Sequence, residues 1–297
     1  MKKLAALLLL LVVGGLTIPL VWPKRADLLV QRIKGNIQIA EGCSVLTPGI
    51  FGDEERFERT GKEVREIQRD GKLALYDTAI GSLWYRADSW TLPALVQENE
   101  IDPYRFKEIV KPGDVVLDVG ANVGTDAKSA LAVGASLVVA IEPEPLTLEC
   151  LRRNLEAEIR DSRVVVVPKG AWNREDTLLL HVDEANAGGS SFLWQKGGPS
   201  IAVPLATIDS MVAELQLPKV DVIKMDIEGS EKNALLGAAE TIRRHHPRLA
   251  IALEHNVNDV TALPAVAREL WPDYQLELTP CTKTLGLVHP RTALLTP

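Results

Sequence analysis

From residue 113 onward, short apolar runs alternate with stretches whose apolar residues recur at helical spacing. "GDVVLDVG" (113–120), "SLVVAIEPE" (136–144), "SRVVVVPKGAW" (162–172), "VDVIKMDIEG" (220–229) and "RLAIALEHN" (248–256) read as five strands. "TDAKSALAVGA" (125–135), "PLTLECLRRNLEAEI" (145–159) and "SEKNALLGAAETIRRHH" (230–246) read as the helices between them. Near-continuous Val/Ile/Leu strands linked by helices predict a mostly parallel sheet covered on both faces, an α/β fold. An insertion breaks the rhythm: "TLLLHVDEANAGGSSFLW" (177–194) and "IAVPLATIDSM" (201–211) predict a hairpin region around a glycine-rich loop. "YQLELTP" (274–280) and "TLGLVH" (284–289) predict a terminal antiparallel pair. Upstream, "RADLLVQRIKGNI" (25–37) could open as a helix, and "DEERFERTGKEVREIQRDGK" (53–72) reads as a charged helix-and-turn segment. "KLALYDTAIGSLWYRADSW" (72–90) predicts a hairpin turning at Gly81, and "TLPALVQENEIDPYRFKEIV" (91–110) a helical stretch.

The first residues break the alternation. "LAALLLLLVVGGLTIPLVW" (4–22) is uncharged, with Lys2 and Lys3 before it and Lys24 and Arg25 after, and it is long enough to span a bilayer. A cleaved signal peptide is the rival, but its apolar part is usually shorter and ends at a small-x-small site. The expectation is an uncleaved transmembrane helix with Trp22 at the interface. A slight excess of basic residues on its C-terminal side would keep the main domain in the cytoplasm. Net charge is −7, and the Lys/Arg dyads are scattered, so no nucleic-acid partner is expected. The 3 cysteines, Cys43, Cys150 and Cys281, are far apart and lack C-x-x-C spacing. A disulfide framework or zinc site is therefore not expected; reduced thiols in a cytosolic domain are.

In a parallel sheet, ligands bind where the strands end. Those ends are mostly acidic: Asp118, Glu142, Asp226, Glu228 and Glu254, with His255 beside the last. A dinucleotide loop needs G-x-G-x-x-G, whereas here Gly120 is followed by Asn122 and Thr125 at the other two positions. No P-loop follows the strand. A sulfonium cofactor without phosphates, S-adenosylmethionine, fits better. Asp118 beside Gly120 and Gly124 could meet its methionine end, and Glu142 could accept hydrogen bonds from its ribose hydroxyls. A tight turn using the glycines for positive φ is the purely structural alternative.

"VKPGDVVLDVGANVGTDA", "VVAIEPEPLTLECLRRNL", "GAW", "TIDSM" and "VDVIKMDIEGSEKNALLGAAETI" followed by "HPRLAIALEH" together resemble the FkbM-type S-adenosylmethionine-dependent methyltransferases over roughly residues 100 to 260. The resemblance implies a Rossmann-like class I methyltransferase fold and O-methylation, commonly of a sugar or polyketide hydroxyl. By position, it implies that Asp118, Gly120, Asn122 and Gly124 line the methionine end, Glu142 the ribose, and Ala171 and Trp172 the adenine side. The expected layout is a membrane anchor (or signal peptide) over 1–25, an extension or cap over 26–100, and the methyltransferase domain over 101–297.

Methyl transfer to an alcohol needs in-line geometry and a proton acceptor. "KMDIEGSE" places Lys224 inside an apolar strand with Asp226 and Glu228 at its end, so Lys224 should pair with one of those two carboxylates or face the pocket. Asp226 or Glu228 is the expected base or hydroxyl-positioning group, with His255 as rival; a structural ion pair is the bland alternative, and no metal is expected. Ser190 and Ser191 could close as a lid or form a plain turn. The function expected is O-methylation of a small-molecule, glycan or lipid-linked hydroxyl near a membrane. The alternatives are an NAD(P)-dependent oxidoreductase and a non-catalytic membrane-tethered binding protein.

Overall fold

A computed structural model of the protein describes residues 23–44, 63–184, 186, 188–195, 198–284 and 286–297. Its strands, in chain order, begin with β1 (Gln38–Ile39), β2 (Arg65–Asp70), β3 (Leu73–Thr78) and β4 (Gly81–Arg86). The apolar runs then form β5 (Val115–Val119), β6 (Leu137–Ile141) and β7 (Val164–Val167). The insertion supplies β8 (Gly170–Ala171), β9 (Asp176–His181) and β10 (Ser200–Ala206). The last six are β11 (Val222–Met225), β12 (Arg248–Ala252), β13 (Gln275–Leu278), β14 (Cys281–Thr284), β15 (Leu287–Pro290) and β16 (Thr292–Thr296).

The main sheet has seven strands in the order β13-β16-β12-β11-β5-β6-β7. The five from β12 to β7 are parallel; β16 lies antiparallel to both β12 and β13. The chain builds outward from β5 to β7, then returns to the other side of β5 to lay down β11 and β12. The crevice therefore falls where β5 and β11 end. Strand residues alternate between the faces: Leu117, Val139 and Ile223 join one core, Val116, Val138 and Val222 the other. Each side chain is at most 1% exposed, so each contributes about 1.5–3 kcal/mol.

Four expectations are corrected. First, among the described residues no helix is long and apolar enough to cross a membrane. The expected N-terminal transmembrane helix, the membrane as partner and the membrane-anchored, cytoplasm-facing location are thus not supported; residues 4–22, on which they rested, lie outside the described residues. The helix described there, Pro23–Ile33, is 11 residues long and carries Asp27, Gln31 and Arg32. It buries Leu28 against Ile37 and Val288, as an amphipathic helix on a protein surface does.

Second, Cys43 and Cys281 form a disulfide, with Cα atoms 6.0 Å apart and a sequence separation of 238; Cys150 is a buried free thiol. The pairing follows from a small separate sheet, β1-β15-β14, in which β1 lies parallel to β15. With the disulfide goes the cysteines' pointer to a cytosolic domain. Third, "TLGLVH" does not pair with "YQLELTP": it contributes to this small sheet, and β13 pairs with β16 instead. Fourth, Arg65–Asp70 is a strand, not part of a helix and turn, with every residue exposed. It is held by β3 and by ion pairs from Arg65 to Asp77 and from Arg69 to Asp88.

The sheet β2-β3-β4 and the helix Leu92–Ile101 behind it cover the crevice. Asn154 fastens this cover to the glycine loop: its side chain accepts from Trp84 N (2.7 Å) and donates to the carbonyls of Trp84 and Val123 (2.9 Å each).

Candidate functional site

The glycine loop after β5 is shaped first by packing. At Gly120 (φ +81°) a Cβ would stand 1.9 Å from the carbonyl oxygen of Asp226, so no larger residue fits where the loop crosses the end of β11. At Gly124 (φ +90°) a Cβ would meet Leu155 at 2.7 Å. Asn122, between them, takes a left-handed conformation (φ 47°). Its backbone N–H donates to Glu142 Oε2 at 3.0 Å, and its side-chain Oδ1 is buried without a partner among the described residues.

Glu142 caps β6 and is only 8% exposed. Its other oxygen accepts from Glu144 N at 2.9 Å. Burial pushes the carboxyl up to about 7, and the two N–H donors offset only part of that. Glu144 behaves differently. Burial alone would raise it, but the Thr147 N–H and the Arg86 guanidinium hold it below the usual range, at 2.6 and 2.7 Å. Arg86 also donates to Asp183 O at 2.9 Å, tying the inserted loop to the cover.

The end of β11 is a charge network. Lys224 lies beside Asp118 in the sheet register. Its ammonium donates to Gly120 O (2.9 Å) and pairs with Asp118 (3.3 Å) and Asp126 (3.1 Å). Burial would lower this lysine, yet Asp118, Asp126 and Asp226 outweigh it and keep it charged. Asp226 accepts from the Tyr104 hydroxyl at 2.7 Å and lies 3.4 Å from His255 Nε2. Burial would raise Asp226, but Lys224, His255 and Tyr104 hold it low, so it stays ionised. Burial would likewise lower His255; Glu231 at 3.1 Å, Glu228 at 3.8 Å and Asp226 lift it well above the ordinary value.

Glu98, from the covering helix, joins this end. Burial, then Glu254 and Asp226, push its carboxyl up to about 8, against Arg291 at 3.4 Å. Ligand-type atoms of Asp226, Glu231 and His255, and of Glu98, Asp226 and Glu254, come within 4.8 Å of one another. In each group a cation of the protein, His255 or Arg291, already faces the carboxylates.

Between the two ends lies a cavity of about 360 Å³. Of the expected site residues, Gly120, Asn122, Glu142, Ala171, Asp226 and Glu228 line it. Asp118, Gly124, Lys224, Trp172 and His255 stand behind it: Asp118 is 1% exposed and turned to Lys224, and Trp172 packs edge-on against Phe192 at 6.0 Å. Ser190 reaches the cavity, while Ser191 donates to Glu228 O at 2.9 Å. Sequence reasoning missed Thr91, Ala94, Leu95 and Glu98, which line the opposite wall. Their spacing of three, one and three residues marks one helix face; what was missing was any sign of which cavity it faced.

The family model for the methyltransferase FkbM domain matches residues 118–271, just over half of the chain. The chain belongs to the FkbM methyltransferase family. The resemblance carried by its sequence blocks is thus borne out. The 2-O-methyltransferase NoeI of Sinorhizobium fredii is 26% identical over 148 residues, covering 45% of this chain and 61% of that protein. The hexuronic acid methyltransferase AglP of Haloferax volcanii is 25% identical over 154 residues, covering 52% of this chain and 62% of that protein. The chain thus spans less than two thirds of the curated relatives it matches. A crystal structure of an FkbM methyltransferase from Methylobacillus flagellatus is similar with a TM-score of 0.47 and 21% identity, over 83% of this chain and 59% of that one.

Proposed function

We propose that this FkbM-family protein transfers a methyl group from S-adenosylmethionine to a hydroxyl of a sugar or glycan. The observation that carries the reading is the charge of the cavity wall. Glu144 and Asp226, both held ionised, line it together with Glu142 and Glu228, while burial keeps Glu98 largely protonated near neutral pH and the cavity's lysine, Lys169, is paired with Glu214 at 2.8 Å. Such a wall favours a cationic ligand and opposes the two phosphates of a nicotinamide dinucleotide. The buried, unpaired Asn122 Oδ1 is an acceptor waiting for a donor, which suits the ammonium of the methionine end. Two relatives support the acceptor class: one is a 2-O-methyltransferase, the other a hexuronic acid methyltransferase.

When bound, S-adenosylmethionine supplies an electrophilic methyl carbon on a cationic sulfur. In this reading Glu142 accepts from the two ribose hydroxyls, and Gly120 and Asn122 frame the methionine end. Ala171 borders the adenine, while Asp118 and Gly124 act from behind by fixing the loop. Asp226 orients the acceptor hydroxyl and takes its proton at a carboxylate oxygen. Lys224 and Tyr104 keep Asp226 ionised and aimed. His255, held as an imidazolium, is the poorer base. The division between a cap over 26–100 and a catalytic domain over 101–297 belongs to the same proposal; the cavity is lined from both sides of that boundary.

The test is calorimetric titration of the full chain with S-adenosylmethionine, S-adenosylhomocysteine and NAD(H), repeated with Glu142→Ala. Binding of the first two, weakened in the variant, is expected; binding of NAD(H) alone, or of none, would overturn the reading.

A further inference from the structure

The described tryptophans fall into two kinds. Trp84 lies under the Arg153 guanidinium, Trp172 against Phe192, Trp194 beside His255, and Trp271 stacked on His246 at 3.6 Å. Trp90 has no such neighbour among the described residues: it is 60% exposed and lines the cavity. Leaving so much of an indole in water forgoes burial energy that the other tryptophans gain. Nor is its backbone loose. The adjacent Thr91 hydroxyl is 2.9 Å from both the Tyr85 hydroxyl and Ser89 Oγ, and Thr91 is 6% exposed. Trp90 is thus an exposed aromatic surface on the cavity wall, next to an anchored residue.

Behind it, Ala94 and Leu95 continue the same helix face as an apolar wall, and Glu98 ends that face beside Asp226. An aromatic rim, an apolar wall and hydrogen-bonding acids at the inner end suit a ring with C–H faces and hydroxyl edges. A pyranose has that form. Asp226, held ionised beside Glu98, opposes an anionic sugar, so an uncharged ring is the better match.

We propose that Trp90 is the platform on which an uncharged pyranose ring of the acceptor stacks, with the face formed by Ala94, Leu95 and Glu98 leading its hydroxyl toward Asp226. The inference rests on the methyl-transfer reading only in taking this ligand to be the acceptor. Trp90 is a positioning residue.

The experiment uses the full chain with S-adenosylhomocysteine and two probes, methyl β-D-glucopyranoside and methyl β-D-glucuronide, observed by saturation-transfer NMR. The expected result is binding of the glucoside, with transfer strongest to its ring C–H protons, and weaker binding of the glucuronide. Trp90→Ala should weaken glucoside binding by roughly tenfold and Trp90→Phe should keep most of it. Both variants should bind S-adenosylhomocysteine as the parent does, which shows that they are folded. Equal glucoside binding by parent and Trp90→Ala, no glucoside binding to the parent, or tighter binding of the glucuronide would each overturn the proposal. Glucoside binding that depends on Trp90, in a protein that binds no S-adenosylhomocysteine, would sink the methyl-transfer reading and leave the platform standing.

Discussion

Glu142 and Asp226 occupy equivalent places, each the first residue past a parallel strand and each facing the same cavity. Their surroundings differ. Glu142 accepts from two neutral backbone N–H groups, and burial lifts it to about 7. Asp226 sits among Lys224, His255 and the Tyr104 hydroxyl and is held low. A carboxylate surrounded by neutral donors is tuned by burial and gains most from a ligand that brings hydroxyl donors. One set in a charge network is tuned by its partners and is ionised before any ligand binds. Two acids of one sheet edge are thereby prepared for different tasks.

The comparison breaks most visibly at the Asp226 end. Asp226→Asn should lower kcat by about 100- to 10,000-fold while S-adenosylhomocysteine binds nearly as before. Transfer of labelled methyl to a glycoside panel, beside calorimetry, checks this; a parallel loss of cofactor binding would make Asp226 part of the cofactor site instead. Lys224→Met should destabilise the fold by about 3–5 kcal/mol in denaturant titrations, because Asp118 and Asp126 are left buried without their cation. The deficit should shrink in acid as those carboxyls take up protons. An unchanged midpoint would show that the network is not what supports β5 and β11.

At the other end, Glu142→Ala should weaken S-adenosylhomocysteine binding on the order of a hundredfold, two hydrogen bonds to a charged group being lost. The smallest effect is the most diagnostic. If the ligand prefers ionised Glu142, a carboxyl at about 7 makes affinity rise roughly tenfold per pH unit below 7 and level off above it. In the apo protein the sign reverses. The folded state holds this proton more tightly than the unfolded chain, so Glu142 removes stability as pH rises from the ordinary carboxyl value of 4.5 to about 7. Glu142→Gln should flatten both curves. A pH-independent affinity in the parent would mean that the ligand does not contact this carboxylate.

Much of the floor of the site was legible in order along the chain. The strands β5, β6, β11 and β12 announce themselves as continuous apolar runs, and the acids at their ends follow from where such strands stop. That Lys224 needs a carboxylate was legible too, because an ammonium cannot sit alone in an apolar strand. Which carboxylate it took was not: the expected partner, Asp226 or Glu228, is corrected to Asp118 and Asp126. Asp118, expected at the methionine end, is instead its cross-strand neighbour.

By itself, then, the sequence determined the alternation of strand and helix, the acidic strand ends, the poor match to a phosphate-binding loop and the family. Each depends on residues close together in the chain, where spacing and side-chain chemistry speak directly. Only the tertiary structure decided the disulfide across 238 residues, the pairing of β13 with β16, and the placement of Trp90 and Glu98 against the end of β11. These depend on elements distant in sequence arriving at one place. A local pattern can say that a helix has an inner face, but only packing decides what that face meets.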